Sequence, residues 1–248
     1  VYKMKKKILV TGGDGRFSKI LKKENTILNL IFKNKQECNI LDLNSIIKCI
    51  KLTKPEIIFH CAGLSRPMNI HETNISKSID LNIIGTANVV KACKKFGIKL
   101  IYMSTGYVYN GTKGNYSEED GLKPFNNYGW SKLGGECSAL MYKNSLILRV
   151  TMTEKPFKFK TAYTNLISNF MFHDDLVKML KKVATTVLRG LQGTNYPVRY
   201  SEQMNVLKEY LQLTQKIKSS DSSKKYVNVN SRQFIGPSSS TLQLQNIL

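Results

Sequence analysis

Two patterns alternate along the chain: short β-branched apolar runs closed by small residues, and longer stretches with apolar residues at helical spacing. Lys7–Thr11 (KILVT) is the first short run and predicts a buried strand. It runs into residues 12–18 (GGDGRFS) and then a helical stretch, KILKKEN. Residues 26–32 (TILNLIF), a short 37–41, 55–61 (PEIIFHC), 98–103 (IKLIYM) and 145–150 (SLILRV) predict further strands. An amphipathic stretch at 44–52 lies between two of them. Residues 74–96 carry Ile75, Ile79, Ile83, Ala87, Val90 and Cys93 at near-helical period, predicting one long helix capped by Gly97. Gly85 inside it costs about 1 kcal/mol against Ala, which predicts close packing on another element. Strands alternating with helices argue an α/β fold, a parallel, doubly wound sheet over residues 4–150.

Beyond residue 150 the pattern weakens. A helix is expected over 176–188, opened by His173, Asp174 and Asp175, and another over 202–216. Ser-rich stretches at 219–225 and 236–240 read as loop or tail. Residues 151–248 are therefore expected to form a small substrate lobe and a tail.

Composition narrows the class. Of 248 residues, 42% are hydrophobic, enough for a sizeable core. No apolar run approaches the roughly 20 residues of a membrane span, and the basic start VYKMKKKILVTGG is too short in its apolar part for a signal peptide. The expectation is a soluble, cytoplasmic protein with no membrane association. Cys38, Cys49, Cys61, Cys93 and Cys137 are odd in number, scattered and without C-x-x-C spacing, so reduced thiols are expected and no metal site. The net charge of +21 is mostly lysine spread along the chain, with no nucleic-acid-binding motif. That disfavours a nucleic-acid partner and suits a small anionic ligand.

The chemistry gathers at predicted strand ends. After the first strand, Gly12 permits a tight turn and Gly15 lets the backbone approach a pyrophosphate. Free N–H groups near Arg16 and Phe17 would receive the anion; Ser18 holds the third glycine's place. Past the second strand, Phe32-Lys33-Asn34-Lys35 offers no acid for an adenosine ribose. Lys33 could hold a 2′-phosphate, so NADP is expected, with NAD open. Ala62 and Gly63 form a small-residue shelf after the fourth strand, and His60 before them reads as a packed strand-end histidine. Ser104 and Thr105 end the fifth strand. Tyr128 and Lys132 stand four apart, on one helix face. There Tyr128 can act as general acid or base, with Lys132 lowering its pKa and Thr105 donating to the same substrate oxygen.

These pieces together resemble the extended short-chain dehydrogenase/reductase superfamily, through TGGDGRFS, Asp42-Leu43, HCAG, NIIGT, the Ser-Thr pair and YGWSK. Residues 102–136 look like the corresponding stretch of dTDP-4-dehydrorhamnose reductases and their relatives. The resemblance implies a Rossmann domain, NAD(P)H and a nucleotide-sugar substrate. It implies Thr105, Tyr128 and Lys132 as the catalytic trio, and Asp42 and Leu43 near the adenine. It also implies Ala62 and Gly63 along the cofactor; Thr105 and Tyr107 are expected at the substrate. Gly106 departs from the family, which usually has Asp there. With Tyr107 following, it disfavours a 4,6-dehydratase. The expected activity is reduction of a nucleotide-activated 4-keto-6-deoxysugar. A 4-epimerase with tightly held NAD is one alternative. A non-catalytic regulatory subunit like that of methionine adenosyltransferase is another. A homodimer is left open as the assembly.

Overall fold

The computed structural model describes residues 6–25, 27–112, 116–156 and 170–193. Five strands, β1 (Lys7–Thr11), β2 (Asn29–Lys33), β3 (Ile57–His60), β4 (Lys99–Ser104) and β5 (Ser145–Arg149), form a parallel sheet in the order β2-β1-β3-β4-β5. The chain steps to one side of β1 and then to the other, so a crevice opens at the carboxyl ends of β1 and β3. Register aligns those ends: Thr11 pairs with Lys33 and with His60, His60 with Tyr102, and Ser104 with Arg149.

The sheet is buried on both faces, which is why its strands read as continuous apolar runs. Ile8, Val10, Phe59, Ile101 and Leu148 face Phe17 and Leu21 of α1 (Arg16–Glu24). The same face carries Leu176, Val177, Leu180 and Val183 of α7 (His173–Gly193). Leu9, Ile58, Leu100 and Tyr102 point the other way. They meet Ile46 and Ile50 of α2 (Leu43–Thr53), Val89 and Cys93 of α5 (Gly85–Phe96), and Ala139 of α6 (Asn127–Leu140). Helices on both faces of a parallel sheet define a Rossmann-like α/β fold. Because α7 enters the same core as β1, the expected boundary at residue 150 is crossed. A short two-stranded parallel sheet, β6 (Thr151–Thr153) with β7 (Phe170–Phe172), leads into α7. The expected elements at 202–216, 219–225 and 236–240 lie outside the described residues.

Residues 37–41 are not a strand. Cys38 and Ile40 are buried at period two, as in a strand, but the segment is a series of turns. It packs instead of pairing: a Cβ added at Gly85 would stand 2.6 Å from Ile40 Cδ1. Gly85 is thus the close approach expected of a helical glycine. The long helix is continuous from Ile75 but contains a π turn. α3 (Ile70–Thr73) precedes α4 (Ile75–Ile79), the π turn spans Asp80–Ile84, and α5 ends at its Gly97 cap.

Candidate active site at the carboxyl edge of the sheet

The loop after β1 is shaped by the end of β3. Gly12 has φ 69°, and a Cβ there would stand 2.8 Å from Ala62 Cα, so both the turn and the contact require glycine. Thr11 Oγ1 accepts from the Ala62 N–H at 3.2 Å and hydrogen-bonds His60 Nδ1 at 2.9 Å. His60 Nε2 continues to Thr86 Oγ1 at 3.1 Å. Burial, with Lys132 adding to it, pushes the His60 pKa down to about 3. His60 is therefore the packed strand-end histidine expected. Gly13 N–H donates to the Lys33 carbonyl and Gly15 N–H to the Gly12 carbonyl, fixing the loop's curve. α1 follows Gly15 at its N-cap, without a side-chain cap and without an acid in its first turn. That leaves the positive helix end suited to an anion. Phe17 is buried beneath it, edge-on to His173 at 5.6 Å. Arg16 reaches outward, 3.8 Å from Glu154 and 3.5 Å from Ser65 Oγ.

At the far end of the crevice, Lys33 Nζ lies 2.6 Å from Glu37 Oε1, and Glu37 also accepts from the Asn34 N–H. Sequence reading stopped at Lys35 and missed this acid. Its contact raises the Lys33 pKa, chiefly through the hydrogen bond. Asp42 caps α2 by accepting from the Asn44 N–H, and Leu43 packs against the core behind it.

Thr105 follows β4 and is buried; its Oγ1 accepts from the Tyr107 N–H at 3.3 Å. Tyr128 lies in the first turn of α6, half-buried, with Tyr107 edge-on at 6.0 Å and His71 at 5.0 Å. Burial raises the Tyr128 pKa, opposed by the neighbouring Thr105 side chain and by the charges of Arg66 and Arg16. This corrects the expected electrostatics: the cations acting on the phenol are two arginines. The Lys132 ammonium instead sits 4.3 Å from the Tyr102 ring centroid. Burial brings Lys132 down to about 8, with Cys61 and Glu136 acting in the other direction.

Two polar residues to which the sequence reading gave no role hold these pieces. Asn82, in the π turn, accepts from the Leu64 N–H at 2.7 Å. It donates to the Leu64 carbonyl and to Ser131 Oγ, each at 2.8 Å. It therefore ties the shelf after β3 to the helix carrying Tyr128. The π turn that aims Asn82 has no sequence signature of its own. Glu136, fully buried, accepts from Ser104 Oγ at 2.6 Å and from the Arg149 guanidinium. Arg149 also donates to Tyr109 Oη at 2.6 Å, anchoring the loop after β4. Among the described residues, no cluster of His, Cys, Asp or Glu could hold a metal, and no helix is long and apolar enough to cross a membrane.

A glycine turn at a helix start, a backbone shelf and a Thr–Tyr pair on one rim of a doubly wound sheet define a Rossmann-like α/β protein. The chain belongs to the RmlD substrate binding domain family, whose model matches residues 5–166. It is 32% identical over 167 residues to methionine adenosyltransferase 2 subunit beta of Danio rerio, covering 60% of this chain and 49% of that protein. It is 28% identical over 152 residues to dTDP-4-dehydrorhamnose reductase of Aggregatibacter actinomycetemcomitans, covering 59% and 51%. The chain thus spans about half the length of these curated relatives. Among solved structures it resembles a Bacillus anthracis dTDP-4-dehydrorhamnose reductase in complex with NADP. The TM-score is 0.64 at 24% identity, covering 74% of this chain and 72% of that one, a likeness of fold.

Proposed function

We propose that this protein is an NADPH-dependent reductase of a nucleotide-activated 4-keto-6-deoxysugar, similar to dTDP-4-dehydrorhamnose reductase. The observation that carries the reading is the placement of Thr105 beside Tyr128 at the rim of the crevice, next to a loop fit for a dinucleotide. The fit rests on the Gly12 turn pressed to Ala62 and on the uncapped, acid-free start of α1. Gly12, Gly15, Arg16 and Phe17 would meet the pyrophosphate, and Ala62 and Gly63 would run along the cofactor. Asp42 and Leu43 would lie near the adenine, Lys33 and Glu37 near the adenosine ribose, and Tyr128 and Lys132 at the nicotinamide end.

The cofactor, when bound, supplies the hydride. Tyr128 supplies the proton to the carbonyl oxygen as it becomes a hydroxyl. Burial keeps the phenol protonated, which suits a donor working in the direction of reduction. Thr105 holds the same oxygen, and Tyr107 lines the substrate side. Arg66 and Arg16 stabilise the phenolate left after transfer. The reading carries the cytoplasm as compartment and a homodimer as assembly; fractionation and sedimentation test those two points.

The test is NADPH oxidation with dTDP-4-dehydrorhamnose. Stoichiometric consumption supports the reductase. Epimer formation without consumption supports a 4-epimerase. A second reading, the regulatory subunit, draws on the higher identity to the methionine adenosyltransferase relative. No turnover, together with co-purification of a catalytic adenosyltransferase subunit, would favour it.

A further inference from the structure

Two polar atoms next to Tyr128 are buried and make no hydrogen bond: His71 Nε2 and Tyr107 Oη. His71 is 1% exposed, and its ring meets the Tyr128 ring at 5.0 Å between centroids. Buried polar atoms without partners are rare, because each loses its water and gains nothing in return. The usual account is a partner that the protein does not itself supply.

His71 is held in register with Tyr128 by contacts on both sides. Its Nδ1 lies 2.6 Å from Ser78 Oγ in α4. Its neighbour Glu72 accepts from the Asn127 N–H at 3.2 Å and from Asn127 Nδ2 at 2.5 Å. Asn127 is the first residue of α6 and Tyr128 the second. The short helix α3 is thereby clamped to the start of the helix that presents the phenol. Burial brings the His71 pKa down to about 4, with the Ser65 backbone opposing and Lys132 adding to it, so the ring is neutral at pH 7. A neutral imidazole has one donor and one acceptor nitrogen, and a serine hydroxyl serves either. Nε2 can therefore offer a hydroxyl whichever half of a hydrogen bond it lacks.

We infer that His71 is a substrate-contacting residue whose Nε2 hydrogen-bonds a hydroxyl on the carbon next to the carbonyl that Tyr128 protonates. The inference rests on the reductase reading and deepens it: the substrate is a 4-keto sugar bearing a vicinal hydroxyl. Vicinal oxygens on a sugar ring are near neighbours, and so are the Tyr128 and His71 rings. Gly106, directly after Thr105, brings no side chain to the task. His71 supplies a polar group from α3.

The experiment compares wild type and His71→Phe on dTDP-4-dehydrorhamnose and on the same compound lacking the hydroxyl beside the keto carbon. His71→Phe should lose about 10- to 100-fold in kcat/KM on the full substrate. Wild type should lose a similar factor on the deoxy compound. The variant should lose no more than about 3-fold further on it, because the two changes remove one interaction. His71→Gln should recover part of the loss on the full substrate only. Additive losses, or a wild type indifferent to the missing hydroxyl, overturn the inference while leaving the reductase reading intact. A wild type that turns over neither compound overturns the reductase reading and this inference with it. Should His71→Phe fail to fold, His71→Leu takes its place in the same comparison, and a wild type indifferent to the missing hydroxyl still overturns the inference.

Discussion

Tyr102 grips Lys132 at two points: its phenol donates to the Lys132 carbonyl at 3.1 Å, and its ring lies under the Lys132 ammonium at 4.3 Å. The lysine is thus directed toward β4 and the buried Glu136, and its charge is carried largely in an apolar setting. The i,i+4 spacing places Tyr128 and Lys132 on one helix face, yet a four-carbon stem lets the cation travel to a different partner.

That burial makes stability depend on pH through Lys132. Its folded pKa of about 8 lies below the ordinary 10.5. Below 8 both states keep the proton, and the folded state bears the whole cost of the buried charge. Between about 8 and 10.5 the unfolded chain binds more protons, so this group's contribution to stability rises with pH. Lys132→Met should therefore be more stable than wild type at pH 7, by up to about 3 kcal/mol. The gap should close toward pH 10. Urea unfolding at both pH values measures it; a gap that does not narrow contradicts the assignment. The variant should be inactive.

Tyr128→Phe should lower turnover by at least about 10²- to 10⁴-fold while NADPH binding stays nearly intact. In the proposed mechanism the hydroxyl is the proton source, whereas the ring keeps its contacts with His71 and Tyr107 in the variant. Wild-type turnover in the variant would remove the proposed mechanism.

On the proposed reading, cofactor preference turns on Lys33 and Glu37. Lys33→Glu should weaken NADPH more than NADH, since a cation favours the 2′-phosphate. Glu37→Gln should do the opposite by releasing that cation, shifting the ratio of dissociation constants toward NADPH by about 2- to 5-fold, the range of an exposed pair. Titrations with both cofactors report it, and equal effects on the two would sink the assignment.

Glu136 is the buried keystone of the loop after β4. Glu136→Ala leaves the Arg149 guanidinium without its carboxylate and Ser104 without its acceptor. The expected cost is about 3–5 kcal/mol, seen as a lower denaturant midpoint. A loss below about 1 kcal/mol would mean that the pair behaves as a surface ion pair.

The sheet was legible because its buried strands are short apolar runs closed by small or polar residues: KILVT ends in Thr11, and IKLIYM runs into Ser104. The loop at Gly12 was legible for the same reason: a turn and a close approach leave only one residue type. Residues 37–41 misled because alternate burial of Cys38 and Ile40 looks like a strand, whether the inward side chains face a sheet or, as here, a helix glycine. Glu37, Asn82 and Glu136 stayed hidden because their partners are set by tertiary approach. Asn82 reaches Leu64 and Ser131, 18 and 49 residues away, and no local pattern records that.

The bond from Thr11 to His60 and Ala62 ties the order of assembly to ligand competence. Parallel strands have no hairpin to bring them together, so β1 waits for a partner 49 residues later in the chain. Until β3 docks, Gly12 has no Ala62 to press against, and the turn after β1 is held only from the β2 side. On the proposed reading β1 thus belongs to a site that is completed only when β3 arrives, and dinucleotide binding during refolding would report the β1–β3 pairing itself.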